Sequence, residues 1–316
     1  ELMVESPAGH RDGEFIELYN KGNSTVDMSG WRVTEGVSFR FPEGTMIGPG
    51  EYAVIAANQR FTGAAFPGAR IIGQYGGNLS NNNELLRIED AWGNLVDEVH
   101  YHTGGDWPGK AGGLGSSLEL RHPEMDNSMP TAWKDSDESE KGEWTSFTIT
   151  DRYERLRTKG GESSYKELHM HGVGDCQVAM RNMKFSLRGV GPNLLPSNGE
   201  RVSNNGQGST GWLCQGTHHL SHMQGREFHL VSTGHGDTKA NRVEIDVTGM
   251  NRSDSLTFAC EARWVYGKPT VVVHTWDRSF GGVLRLPIPR NLGTAGAGNS
   301  TLISSVAPVL SRLFHS

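Results

Sequence analysis

The 316-residue chain has no run of about twenty consecutive apolar residues, so the sequence offers no candidate membrane-spanning helix. Apolar residues at helical spacing are also missing until the last dozen residues, which excludes an α-helical or α/β domain. Only three cysteines occur, Cys176, Cys214 and Cys260. No two of them form a Cys-x-x-Cys pair, which argues against a cysteine zinc site. One disulfide with one thiol left over, or no disulfide at all, both remain open. The common hydrolase signatures are missing too. Gly208-Ser209-Thr210-Gly211 and Gly113-Leu114-Gly115-Ser116-Ser117 lack the Gly-x-Ser-x-Gly elbow and a following helix. Gly234-His235-Gly236-Asp237 precedes no helix that would cradle a phosphate. Excess positive charge is lacking as well: the formal net charge is −6.

The charge is unevenly shared. Residues 1–150 carry 11 Lys+Arg against 23 Asp+Glu, and residues 151–316 carry 19 against 13, giving −12 and +6. That asymmetry implies two domains with different surfaces. An acidic first half argues against nucleic acid as a partner. The basic second half suits either an anionic glycan or an acidic neighbouring domain. The chain starts at Glu1 rather than Met, and it is expected to be a fragment of a longer polypeptide.

Glycine (42 residues) and tryptophan (8) are plentiful, a composition that suits short strands joined by tight turns. In the first half, strand patterns run over Glu14–Tyr19, Ser29–Val33, Ser38–Phe41, Tyr52–Ile55, Leu85–Ile88, Leu95–Tyr101 and Ser117–Arg121. Turn signals such as Gly48-Pro49-Gly50 and Gly93-Asn94 separate them. Strands at roughly ten-residue spacing indicate an antiparallel sandwich or barrel.

The strings Glu14-Phe15-Ile16-Glu17-Leu18-Tyr19-Asn20, Met28-Ser29-Gly30-Trp31, Phe41-Pro42-Glu43-Gly44-Thr45, Leu79-Ser80-Asn81-Asn82, Asp97-Glu98-Val99-His100-Tyr101 and Ser116-Ser117-Leu118-Glu119-Leu120 resemble the lamin tail domain over about residues 1–147. The resemblance implies an immunoglobulin-like β-sandwich in a large secreted or surface protein of bacterial type, with no catalytic residues to carry over. The residues themselves read as structural. Trp31 suits a plug between sheets. Asp97 and Glu98, adjacent on a strand, point to opposite faces and do not share a substrate. The run Asp135-Ser136-Asp137-Glu138-Ser139-Glu140 lacks the EF-hand spacing and its glycine, and reads as a solvated acidic linker.

Strand patterns return in the second half at Tyr165–His171, Gln177–Phe185, Glu227–Val231, Asn241–Val247, Ser255–Cys260 and Thr270–His274. Asn193-Leu194-Leu195 followed by Gly211-Trp212 resembles the opening of a galactose-binding-like jelly roll of the carbohydrate-binding-module type. The strand at Gln177–Phe185, usually last in that family, precedes the opening motif, as in a permuted strand order. The arrangement, with Thr238–Val243 and Pro289–Thr294, is similar to a region found beside lamin tail domains in planctomycete-type surface proteins. Met180-Arg181-Asn182-Met183 stands where such domains often carry acidic calcium ligands, so a structural calcium is not supported.

Two groups of residues carry candidate chemistry. Sugars are held by an aromatic face plus fixed polar groups. Trp276, His274 and Arg278 at period two suit such a face, with Trp264 and Tyr266 nearby in sequence. The competing reading puts Trp264 and Trp276 in the core with Arg278 at the rim. The histidines His218, His219, His222, His229 and His235 form the second group. His218 and His222 have helical zinc-pair spacing, but the segment reads as loop or strand. In a strand the two stand about 13 Å apart. No metal ligand set and no cofactor are therefore expected.

The sequence thus implies an all-β chain: a lamin tail sandwich over 1–147 and a jelly roll over 148–316. The expected function is non-catalytic binding of polysaccharide or a cell-surface glycan in an extracellular or cell-surface setting. The alternative is a pair of spacers that position a catalytic module elsewhere in the parent chain, in contact with other domains of that chain.

Overall fold

A computed structural model describes residues 1–6, 11–139, 141–153, 166–197, 199–203, 206–236, 240–251, 253–276 and 278–288. The fold is all-β and divides into two compact units, one over Glu1–Glu138 and one over Ser139–Pro289.

The first unit runs through β1 (Leu2–Met3), β2 (Phe15–Tyr19), β3 (Val26–Asp27), β4 (Arg32–Glu35), β5 (Phe39–Arg40), β6 (Met46–Ile47), β7 (Tyr52–Ala56), the helix α1 (Gln59–Ala65), β8 (Ile71–Gln74), β9 (Asn83–Glu89), β10 (Leu95–His102), β11 (Leu118–Leu120) and β12 (Trp133–Asp135). A six-stranded sheet of order β12-β11-β1-β2-β7-β8 stands with a four-stranded sheet of order β10-β9-β4-β5. Among the described residues of this unit, β7–β8 is the one parallel strand pairing. Period-two alternation drives the packing. Ile16 and Leu18 of β2 face a core shared with Trp31, Leu86, Ile88, Val99, Tyr101 and Trp133. The opposite face of β2 presents Phe15 to a smaller cluster with Val54, Ala65 and Phe66, which α1 covers. Asn58 caps α1, its side chain accepting from the Arg60 and Phe61 N–H groups. This short helix was not anticipated from periodicity.

Asp97 is buried and accepts from Asn127 Nδ2 at 3.1 Å, whereas Glu98 faces outward to Arg87. The acidic run at 135–140 corrects the linker expectation over its described part. Asp135 ends β12 and accepts from the Lys110 and Ala111 N–H groups. Ser136 and Glu138 are buried and hydrogen-bonded to each other at 2.6 Å. Two backbone N–H groups support the Asp135 carboxylate, and the Ser136 hydroxyl supports that of Glu138.

The second unit contains β13 (Thr145–Arg152), β14 (Glu167–Gly172), β15 (Cys176–Leu187), β16 (Leu213–Gln215), β17 (His222–Gln224), β18 (Glu227–Ser232), β19 (Arg242–Asp246), β20 (Ser255–Gly267), β21 (Thr270–Thr275) and β22 (Gly281–Arg285). They form two five-stranded antiparallel sheets, β13-β20-β15-β18-β17 and β16-β19-β14-β21-β22. One core joins them, with Val178, Phe185, Phe228, Phe258 and Trp264 from the first sheet and Leu168, Met170, Ile245, Val271 and Val273 from the second. This is a β-sandwich. All eight residues of β13 pair with β20, so the boundary expected near Phe147 falls inside a strand of the second unit.

The residues of the jelly-roll-like opening serve the fold. Asn193 Oδ1 accepts from the Phe185 and Leu195 N–H groups. Trp212 is fully buried and donates Nε1–H to the Gly199 carbonyl at 2.9 Å. The three cysteines are unpaired thiols. Burial pushes Cys176 up to about 11 and Cys214 and Cys260 up to about 12, so all stay protonated at neutral pH.

Candidate functional site

The second sheet of the second unit has one apolar and one polar face. In β14, Leu168 and Met170 enter the core while Glu167, His169 and His171 point the other way. In β19, Val243 and Ile245 enter the core and Arg242, Glu244 and Asp246 point out. In β21, Val271 and Val273 enter and Val272 and His274 point out. Register then brings distant residues together. His169 pairs with Glu244 on one side and with His274 on the other, and Glu167 pairs with Asp246.

The result is a cluster of imidazoles beside carboxylates. His169, His171 and His274 each offer a ring nitrogen, and the three lie within 4.8 Å of one another. His171 stacks on His274 with ring centroids 5.1 Å apart, and His169 lies 5.3 Å from His274. His169 Nε2 is 2.9 Å from Glu167 Oε2 and 3.4 Å from Glu244 Oε2. Glu244 is buried and clasped by Arg242, whose Nε and Nη2 donate at 2.7 Å each. Burial nevertheless raises the Glu244 carboxyl above its usual range, and Arg242 opposes the rise. His171 is pushed down to about 4, first by burial and then by His274, His218, His169 and Arg278.

Of the histidines expected as a group, His218 alone adjoins this face. It closes a 3-10 turn at Gly216–His218, and its Nε2 accepts the Gly172 N–H at 3.0 Å. Burial pushes it to about 4. His219 and His222 donate Nδ1–H to the backbone carbonyls of Gly216 and Leu220. His222 and His229 stack in the other sheet, their centroids 5.0 Å apart. His235 is exposed.

The aromatic expectation divides likewise. Trp264 is only 1% exposed and donates Nε1–H to the Gly267 carbonyl at 2.9 Å. It is a core residue, and the reading of it as a ligand platform is corrected. Tyr266 is half-buried on the same strand, β20, in the sheet opposite His274. Burial raises its phenol above the usual range. Trp276 is 40% exposed, one residue past β21, and its N–H donates to the Glu167 carbonyl. Arg278 does not continue the strand: its N–H donates back to Thr275 and its φ is +57°, so a turn carries it off the line of His274 and Trp276. Asp277, Asp237, Glu140, Tyr165, Thr238, Lys239, Pro289–Thr294 and the helix expected at the end of the chain lie outside the described residues.

His169 and His171 were not singled out from the sequence. Their signal was present as His-x-His in a strand, a spacing that puts both rings on one face. His274 and Glu244, the register partners of His169, lie 105 and 75 residues further along the chain and are joined to it only by strand register.

No curated protein matches this chain. The family model described as Lamin Tail Domain matches residues 1–103. That span covers β1–β10, while β11 and β12, which complete the six-stranded sheet, follow it. The first unit of the chain therefore carries a match to the lamin tail domain, an immunoglobulin-like fold, over residues 1–103.

Proposed function

We propose that the second unit is a non-catalytic carbohydrate-binding domain of a larger extracellular or cell-surface protein, built as a galactose-binding-like jelly roll. The observation that carries this reading is Trp276. Among the described residues of the unit it is the one large aromatic exposed beyond a third of its surface. It follows His274 on the polar side of β21, and Arg278 is exposed close by. An exposed indole supplies the apolar stacking surface for a sugar ring, and the imidazole and guanidinium supply hydrogen bonds to hydroxyls. Val272 and the exposed Val283, register partners on β21 and β22, extend the apolar strip. The ligand is held and no bond is broken. The first unit serves as a scaffold, since its characteristic residues Trp31, Leu118 and Leu120 are spent on the core.

The test is a glycan-array screen of the full chain beside W276A. Binding that falls about tenfold or more in a folded W276A protein supports the reading, as expected for an aromatic anchor. Silence on neutral and anionic glycans alike overturns it and leaves both units as spacers within a longer chain.

A further inference from the structure

We infer that His169, His171 and His274 form a binding site for a single divalent transition-metal ion of the zinc type on the polar face of the second sheet. The inference goes beyond carbohydrate binding and does not rest on it.

Three arguments converge. The first is donor geometry. Three imidazole nitrogens already lie within 4.8 Å of one another. A tetrahedral zinc site with bonds of about 2.0–2.1 Å needs ligands roughly 3.3 Å apart, so binding an ion requires the three imidazoles to draw together by side-chain rotation. Three histidines with a fourth position left for water or an external ligand is a recurring zinc arrangement.

The second is tautomer control. A carbonyl oxygen only accepts, so the 2.6 Å contact between His274 Nδ1 and the Thr275 carbonyl requires a proton on Nδ1. The lone pair of His274 is then on Nε2. His169 Nε2 faces the Glu167 and Glu244 carboxylates, which places its proton there and its lone pair on Nδ1. Metal-binding histidines are commonly oriented in this way, by donating the second ring N–H to a carboxylate or a backbone carbonyl. His218 is excluded from the ligand set, because its Nε2 lone pair is taken by the Gly172 N–H.

The third is charge. Glu167, Glu244 and Asp246 share this face, with Glu167 and Glu244 almost fully buried and Arg242 bound to Glu244. A divalent cation next to His169 is favoured by that carboxylate excess.

The experiment is a zinc titration of the full chain against a chromophoric chelator, with Co2+ substituted in parallel for its visible spectrum. The expected result is one equivalent of tightly held Zn2+ and the intense visible band of four-coordinate Co2+. H171Q and H274Q each weaken binding at least tenfold. E167Q weakens it by about 10–100-fold through the orientation of His169. The double variant H219Q/H222Q binds as the parent does. Absence of a stoichiometric site in the parent overturns the inference. So does parental affinity in both H171Q and H274Q, or loss of binding in H219Q/H222Q alone, which marks adventitious surface histidines. If one ligand variant fails to keep its far-UV circular dichroism, the other variant and the parental Co2+ spectrum decide.

Discussion

Replacing Trp264 with alanine separates the two tryptophans of the second unit by energy. Trp264 is 1% exposed and lies in the core between the sheets. Truncating a buried tryptophan costs about 3–5 kcal/mol. The change also deprives the Gly267 carbonyl of its donor at 2.9 Å, worth about 1 kcal/mol more. Domains of this size have total stabilities of about 5–15 kcal/mol, so W264A is expected to use up a large share. At about 2–4 °C per kcal/mol, the melting point of the second unit falls by roughly 8–24 °C. W276A, at a 40% exposed position, is expected to stay within about 0.5 kcal/mol of the parent. Urea unfolding followed by circular dichroism measures the cost, and hydrogen exchange of β20 peptides assigns the transition to this unit. A loss below about 1 kcal/mol for W264A, or equal losses for the two variants, refutes the division into core and surface tryptophans.

Gly267 and Gly93 make a second contrast. Both sit at positive φ, +79° and +86°. A Cβ on Gly267 would collide with the Asp175 carbonyl oxygen, whereas one on Gly93 meets nothing within 4 Å. G93A is expected to cost about 1–2 kcal/mol from the left-handed backbone alone, and G267A clearly more, by urea midpoint; equal costs dismiss the steric argument. His229 provides a pH test. Burial, then His222, lowers its pKa below the ordinary 6.5. The unfolded chain therefore takes up a proton before the native one does. Its stabilising effect is present above about pH 6.5 and declines as the pH falls toward the native value, by at most about 1.4 kcal/mol per pH unit. Urea midpoints from pH 7.5 downward are expected to fall less steeply in H229Q; parallel profiles reject the assignment.

Strand placement was largely legible because period-two alternation is local. Glu14–Tyr19, Tyr52–Ile55, Leu95–Tyr101 and Thr270–His274 each contain or border an observed strand, and turn residues bound them. The lamin tail strings were legible for the same reason, as short motifs tied to core positions such as Trp31 and Leu118. The short pieces β3, β6, β16 and β17 carry two or three residues each and too little pattern to read. The strand β13 was hidden because its described side chains are mostly exposed or half-buried and it is defined by pairing with β20, about a hundred residues downstream.

What the sequence determined alone was the all-β class, the two-part organisation, the lamin tail character of the first part and the absence of cysteine zinc motifs. Tertiary structure decided which aromatic is buried: Trp264 and Trp276 stand in similar polar and β-branched surroundings, and only the sheet packed opposite distinguishes them. It also decided the company of His169. Periodicity joins His169 to His171, but Glu244 and His274 reach it through the β19–β14–β21 register. Alternation tells which residues share a face of one strand; which strands lie side by side is a long-range choice made by the whole core.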